Sequence, residues 1–165
     1  MKHLLWLTAI AVLLCVLVLL VQQVGHLQRQ REARAGLDVV IAELPKPAGF
    51  DMIKIVYQEF YDDEHGSGPV CYYARAYIIT GSSMSESDAL ATYAQSLQLQ
   101  GWALEGEQYK TERGLIRGAN ERVVAHSGDP GVDIEDALDY AKLKEVYRSL
   151  IFVRVDYMIP SRDQC

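Results

Sequence analysis

The side chains best equipped for chemistry lie in one short stretch, YDDEHGSGPVC, residues 61–71, which sets Asp62, Asp63, Glu64 and His65 ahead of Cys71. Adjacent carboxylates can bind a hard cation, and a histidine beside them could take a proton from water. The histidine that could join them from elsewhere is His126, followed by Asp129 and Asp133. Against this reading, neighbouring loop residues point apart, and the alternate oxygen ligands and distal glutamate of a calcium-binding EF-hand are missing. The chain also carries no GxSxG, HExxH, phosphate-loop or dinucleotide fingerprint. Gly66, Gly68 and Pro69 instead mark a polar connection between two strands, where Asp and Gly tolerate unusual backbone angles. We therefore assign no catalytic residue, metal or cofactor. The alternative, an envelope hydrolase or metal-dependent enzyme, requires the Asp62-Asp63-Glu64 loop and His126 to converge.

Two other sets of residues stand out. Tyr57, Phe60, Tyr61, Tyr72, Tyr73 and Tyr77 concentrate aromatic area in one hairpin. Tyrosine offers large contact area with few rotors to freeze, so Tyr73, Arg75 and Tyr77, on one side of the second strand, are the candidate binding surface. The small Ala74 and Ala76 lie on the other side, where a helix can approach closely. Cys71 and Cys165 have no close-spaced cysteine neighbours, which disfavours a metal site and makes them a candidate disulfide. Such a bond closes a loop of about 95 residues and is worth an idealised 4 to 5 kcal/mol, roughly. It also implies an oxidising compartment.

The elements that hold these residues begin with LLWLTAIAVLLCVLVLLV, Leu4 to Val21, which has no charged side chain. Eighteen helical residues reach about 27 Å, close to the hydrocarbon thickness of a bilayer, and Val24 and Leu27 extend the run. The segment lacks the small-x-small site of a cleaved signal peptide, so it is expected to remain as an anchor. Cys15 follows the bulky Leu13 and Leu14, unlike a lipoprotein cysteine, and is expected to be an apolar helix residue. Arg29, Arg31 and Arg34 after the span favour a cytoplasmic C-terminus by charge alone. The cysteine pair argues for the outside, which is the sidedness expected here. The net charge of −6 argues against nucleic acid as a partner.

Residues 1–24 thus read as a transmembrane anchor, 25–47 as a helical stalk with a proline linker, and 48–165 as an extramembrane domain. Ala33, Leu37, Val40 and Leu44 form a helical stripe expected to pack within the chain, and Pro45 and Pro47 end the helix. From Phe50 the period becomes two: Ile53, Ile55 and Tyr57 alternate with Lys54, Val56 and Gln58. VCYYARAYIIT follows as the second strand. Ser83 and Glu86 read as a capping box. Leu90, Ala94 and Leu97 form the buried stripe of the helix that follows, Gly101 is its left-handed C′ residue, and Trp102 makes the Schellman contact with Leu97.

Strand pieces are expected at 102–104, 109–111 and 122–126. After them come a turn at 128–131 and a short helix between Asp139 and Arg148 that buries Leu143, Tyr147 and Leu150. LIFVRVDYMIP is the clearest strand, with Ile151, Val153, Val155, Tyr157 and Ile159 on one side. The expected class is α+β: an N-terminal transmembrane helix and stalk, then a small antiparallel sheet with its helices on one face. The expected role is a non-catalytic, membrane-anchored extracytoplasmic domain, an accessory or binding subunit of a membrane or envelope complex. Its partners would be the bilayer, through residues 4–24, and a protein of that complex.

Overall fold

The computed structural model describes residues 2–62, 72–105, 111–118, 120–127 and 140–159. One unbroken helix, α1 (Lys2–Glu43), opens the chain. Its 42 residues extend roughly 63 Å at the usual rise. From Ile10 to Leu27 the described large apolar side chains are exposed; Leu13, Val21 and Val24 are each more than half open. Then the stripe begins: Ala33, Leu37, Val40 and Leu44 are all buried, as their spacing predicts. The segment expected as a stalk is therefore, from Ala33 onward, a wall of the core. Pro45 and Pro47 follow directly, where their rings and missing N–H groups forbid another helical turn.

The remaining elements are β1 (Phe50–Asp62), β2 (Tyr72–Ser82), α2 (Glu86–Leu99), β3 (Ala103–Leu104), β4 (Glu112–Arg117), β5 (Glu121–Ser127), α3 (Tyr140–Val146) and β6 (Ser149–Ile159). The strands form one sheet in the order β1-β2-β6-β5-β4-β3, antiparallel at every pairing. The expected antiparallel α+β class and the β1–β2 hairpin are both present. β4 lies apart from the strand piece expected at 109–111: Thr111 is a turn residue, 109 and 110 lie outside the described residues, and the strand begins at Glu112.

The main core lies between the sheet and the helices α1 and α2. Leu37 and Val40 of α1 and Leu90 and Leu97 of α2 meet Ala76 and Ile78 of β2 and Val153 and Val155 of β6. The close approach has a local cause. Ala74 and Ala76 keep β2 low, and Gly36 of α1 leaves room for the Tyr157 ring, which a Cβ would strike.

One expectation fails: the helices do not share a face. α3 packs Leu143 and Tyr147 against Tyr77, Ile79, Leu150 and Phe152 on the opposite side of the sheet. The physical reason lies in the central strands. Ile78 and Ile79 in β2, and Ile151 and Phe152 in β6, are adjacent and point to opposite faces, so both faces carry apolar area that must be covered.

The ends of α2 show which local signals hold. Gly101 has φ +88°, the Gly101 N–H donates to the Gln98 carbonyl at 3.0 Å and the Trp102 N–H donates to the Leu97 carbonyl at 3.2 Å. This is the Schellman pattern, with Leu97 and Trp102 both buried. At the start, the N-cap is Ser85 rather than Ser83. Its hydroxyl accepts from the Asp88 N–H at 3.3 Å, while Glu86 and Asp88 complement the helix dipole.

Candidate functional site

Three places could do something: the acidic loop with His126, the arginine row on the α3 face, and a cavity under the proline linker. The first is not assembled. Asp62 ends β1 opposite Tyr72, which in turn pairs with Ile159. His126 pairs with Phe152, seven residues away along β6, or about 23 Å at 3.3 Å per residue. Asp63, Glu64, Asp129 and Asp133 lie outside the described residues, as do Cys71 and Cys165 of the candidate disulfide. His126 stands across from Glu112 in the β4–β5 ladder. Its Nδ1 is buried without a hydrogen-bond partner among the described residues. Cys15 is a free, exposed thiol on α1.

The second place is made by register. Arg75, Asp156 and Arg122 are successive partners across β2, β6 and β5, and Arg154 lies two residues before Asp156. Asp156 is buried, and its two oxygens accept from different guanidinium groups: Arg75 Nε at 2.5 Å and Arg154 Nε at 3.0 Å. Burial alone would lower the pKa of Arg75. The bonded and charged Asp156 outweighs it, and the net direction is up. Arg122 turns to Glu105 at 2.6 Å. Tyr77 is buried in the small cluster next to this row, and Tyr73 sits in the β2 ladder between Tyr61 and Met158. Arg75 and Tyr77 of the expected surface therefore engage the domain's own residues, while Arg154, Arg122 and Glu105 form the more open rim.

The third place has no counterpart among the sequence expectations. A cavity of about 80 Å³ opens where the end of α1, the 45–49 linker, β1, β2 and α2 meet. Leu44, Phe50 and Ile78 supply apolar walls, and the polar lining among the described residues is Lys46, Thr80 and Tyr93. Lys46 is exposed between two prolines, each of which restricts its neighbours to an extended path. Gly49 then turns the chain at φ +84°, and the Phe50 N–H donates to the Pro47 carbonyl at 3.3 Å. Thr80 Oγ1 donates to the Ile151 carbonyl at 3.2 Å, leaving its lone pairs free to accept.

Tyr93 is only 2% exposed, and its ring meets Phe50 edge-on with centroids 5.6 Å apart. Its hydroxyl has no hydrogen-bond partner among the described residues, and Tyr93 lines the cavity. Burial pushes its pKa up. Two contacts brace α1. Arg117 donates to Glu43 at 2.7 Å and stacks over Trp102, fixing the last turn of α1; Arg34 lies over the Tyr57 ring and pairs with Asp38 at 3.4 Å.

The signal that could have exposed this site is the stripe of α2 itself. Leu90, Tyr93, Ala94 and Leu97 are spaced i, i+3, i+4, i+7, so a phenol falls among buried aliphatic residues and must find a polar partner. No family model matches the chain, and neither a curated protein nor a solved structure matches it.

Proposed function

We propose that this protein is a membrane-anchored accessory domain, held by α1 and acting by contact rather than by catalysis, with its sheet on the extracytoplasmic side. One observation carries the reading. α1 includes a helix long and apolar enough to cross a bilayer, and none of that apolar window is buried inside the protein. An exposed rod of Leu, Val and Ile in water would expose far more apolar area than soluble monomers do, and lipid is the cover that suits a helix apolar on all sides.

The distance to the domain supports a role close to the membrane. From Leu27 to the first buried stripe residue, Ala33, the helix rises only about 9 Å. A partner embedded in the same bilayer is therefore within reach of the sheet. The proposed contact strip is the polar part of the α3 face around Tyr73 and Arg75, where Arg154 and Arg122 reach the surface.

The test is to express the full chain with an epitope at its C-terminus and extract membranes with carbonate. The protein should stay in the pellet, and protease added to intact cells should remove the epitope. Release by carbonate would overturn the anchor, and protection from protease would overturn the sidedness. Crosslinking in native membranes should then trap a second protein through the Arg154 strip, and capture of lipid alone would remove the accessory role.

A further inference from the structure

We infer that the cavity beneath the Pro45–Pro47 linker is a binding site for a small organic monocarboxylate with a compact apolar body, such as a branched aliphatic acid or a single-ring aromatic acid. The inference concerns the cavity alone and does not rest on the membrane reading.

Size sets the first limit. A water needs roughly 10 to 15 Å³ of such space, so about 80 Å³ holds several waters or one small organic molecule. The walls set the second. Leu44, Phe50 and Ile78 surround most of the space with apolar surface, which water fills poorly and a hydrocarbon body fills well. Polarity sets the third. The cavity offers a phenol O–H at Tyr93 and an ammonium at Lys46, and neither has a partner among the described residues. Both can donate, no carboxylate among the described residues lines the space, and the ligand group that satisfies two donors while matching a positive charge is an anionic acceptor. A cation would meet Lys46 with like charge, and a neutral hydrocarbon would leave the Tyr93 hydroxyl unsatisfied.

The position of the site gives such a ligand a consequence. Its walls come from α1, the linker, the sheet and α2 together, so an occupant would add one shared contact to elements that the core already packs together.

The experiment uses the full chain in detergent micelles, which cover the apolar helix whatever its natural neighbour, with ¹³C-methyl labels on isoleucine and leucine. Benzoate and isovalerate are titrated, with benzamide as the neutral counterpart and isopentylamine as the cationic one. The acids should shift the Ile78 and Leu44 methyl signals saturably. Lys46→Gln should weaken them roughly tenfold. Tyr93→Phe, which keeps the ring and hence the fold, should weaken them several-fold. The amide and the amine should bind at least about tenfold more weakly than the acids. The site is overturned if no acid gives a saturable shift, if the amine or amide binds as well as the acids, or if both variants bind like the parent.

Discussion

On the face that carries α1 and α2, side chains from both helices and the central strands merge into one continuous apolar cluster; the opposite face is divided between a small cluster under α3 and a row of arginines around Asp156. The first face is stabilised by area removed from water, which is non-directional and tolerates small changes of angle. The second depends on the register of β2, β6 and β5, because only that register places Arg75 and Arg122 beside Asp156. The helical roof therefore supplies most of the stability, while the arginine row fixes strand alignment at a place where apolar cover gives out.

Leu37→Ala should have the largest effect. Leu37 is fully buried between α1 and the sheet, so its truncation should cost about 3 to 5 kcal/mol in urea unfolding of the full chain in micelles. A cost below about 1 kcal/mol would mean that α1 is a stalk resting on the domain and not a wall of it. Next comes Asp156→Ala, which leaves two guanidinium groups facing each other without their shared acceptor. Because Arg154 keeps 31% of its side chain in water, the expected loss is reduced to about 2 to 3 kcal/mol. Replacing Arg75, Asp156 and Arg154 together by Met, Leu and Met should recover most of that loss. If the triple variant is as unstable as the single one, the row is doing more than balancing charge.

Gly101→Val probes a local feature common to neither face. Its positive φ should make the substitution cost about 1 to 2 kcal/mol, read as a lower melting temperature. The smallest effect at neutral pH belongs to Tyr93→Phe, within about 1 kcal/mol in the unliganded protein. Its signature is in pH dependence instead. Burial raises the phenol pKa in the folded protein, so the folded state holds this proton more tightly than the unfolded chain. The contribution is fully present below about pH 10 and is lost as pH rises beyond it. Unfolding followed from pH 9 to 11, on the order of that reference value, should show the parent losing stability more steeply than the variant; parallel curves would place the phenol in water.

Much of the fold was legible because its signals are local. The apolar rod, the Ala33–Leu44 stripe, the proline stop, the β1–β2 hairpin, the Gly101 cap and the alternation of β6 are each set by residues within a few positions of one another. Where two local signals overlap, only the folded chain chooses between them. In SSMSESD both Ser83 with Glu86 and Ser85 with Asp88 fit a cap, and the helix begins at the later one. The one-sided roof fails because Leu150 and Phe152 share a face of β6 with Arg154 and Asp156, so the face that carries charge at one end is apolar at the other and needs cover there.

The cavity was not legible for a different reason. Lys46, Thr80 and Tyr93 belong to three separate elements, and only the folded arrangement brings them to one space. Asp62 and His126 show the converse: residues that look like partners in the sequence lie at opposite ends of the sheet.

One feature of α1 reaches further than the sheet. The helix runs from its apolar half into the core without a glycine hinge, a proline or a gap in its backbone ladder after Gly25 and before Pro45, and Gly36 in between is packed under the Tyr157 ring. Such a rod has no swivel. Any tilt or twist imposed on its outer half is delivered to β2 and β6 as a rigid rotation, so the orientation of the six strands is steered from the far end of α1, as a rudder is by its shaft.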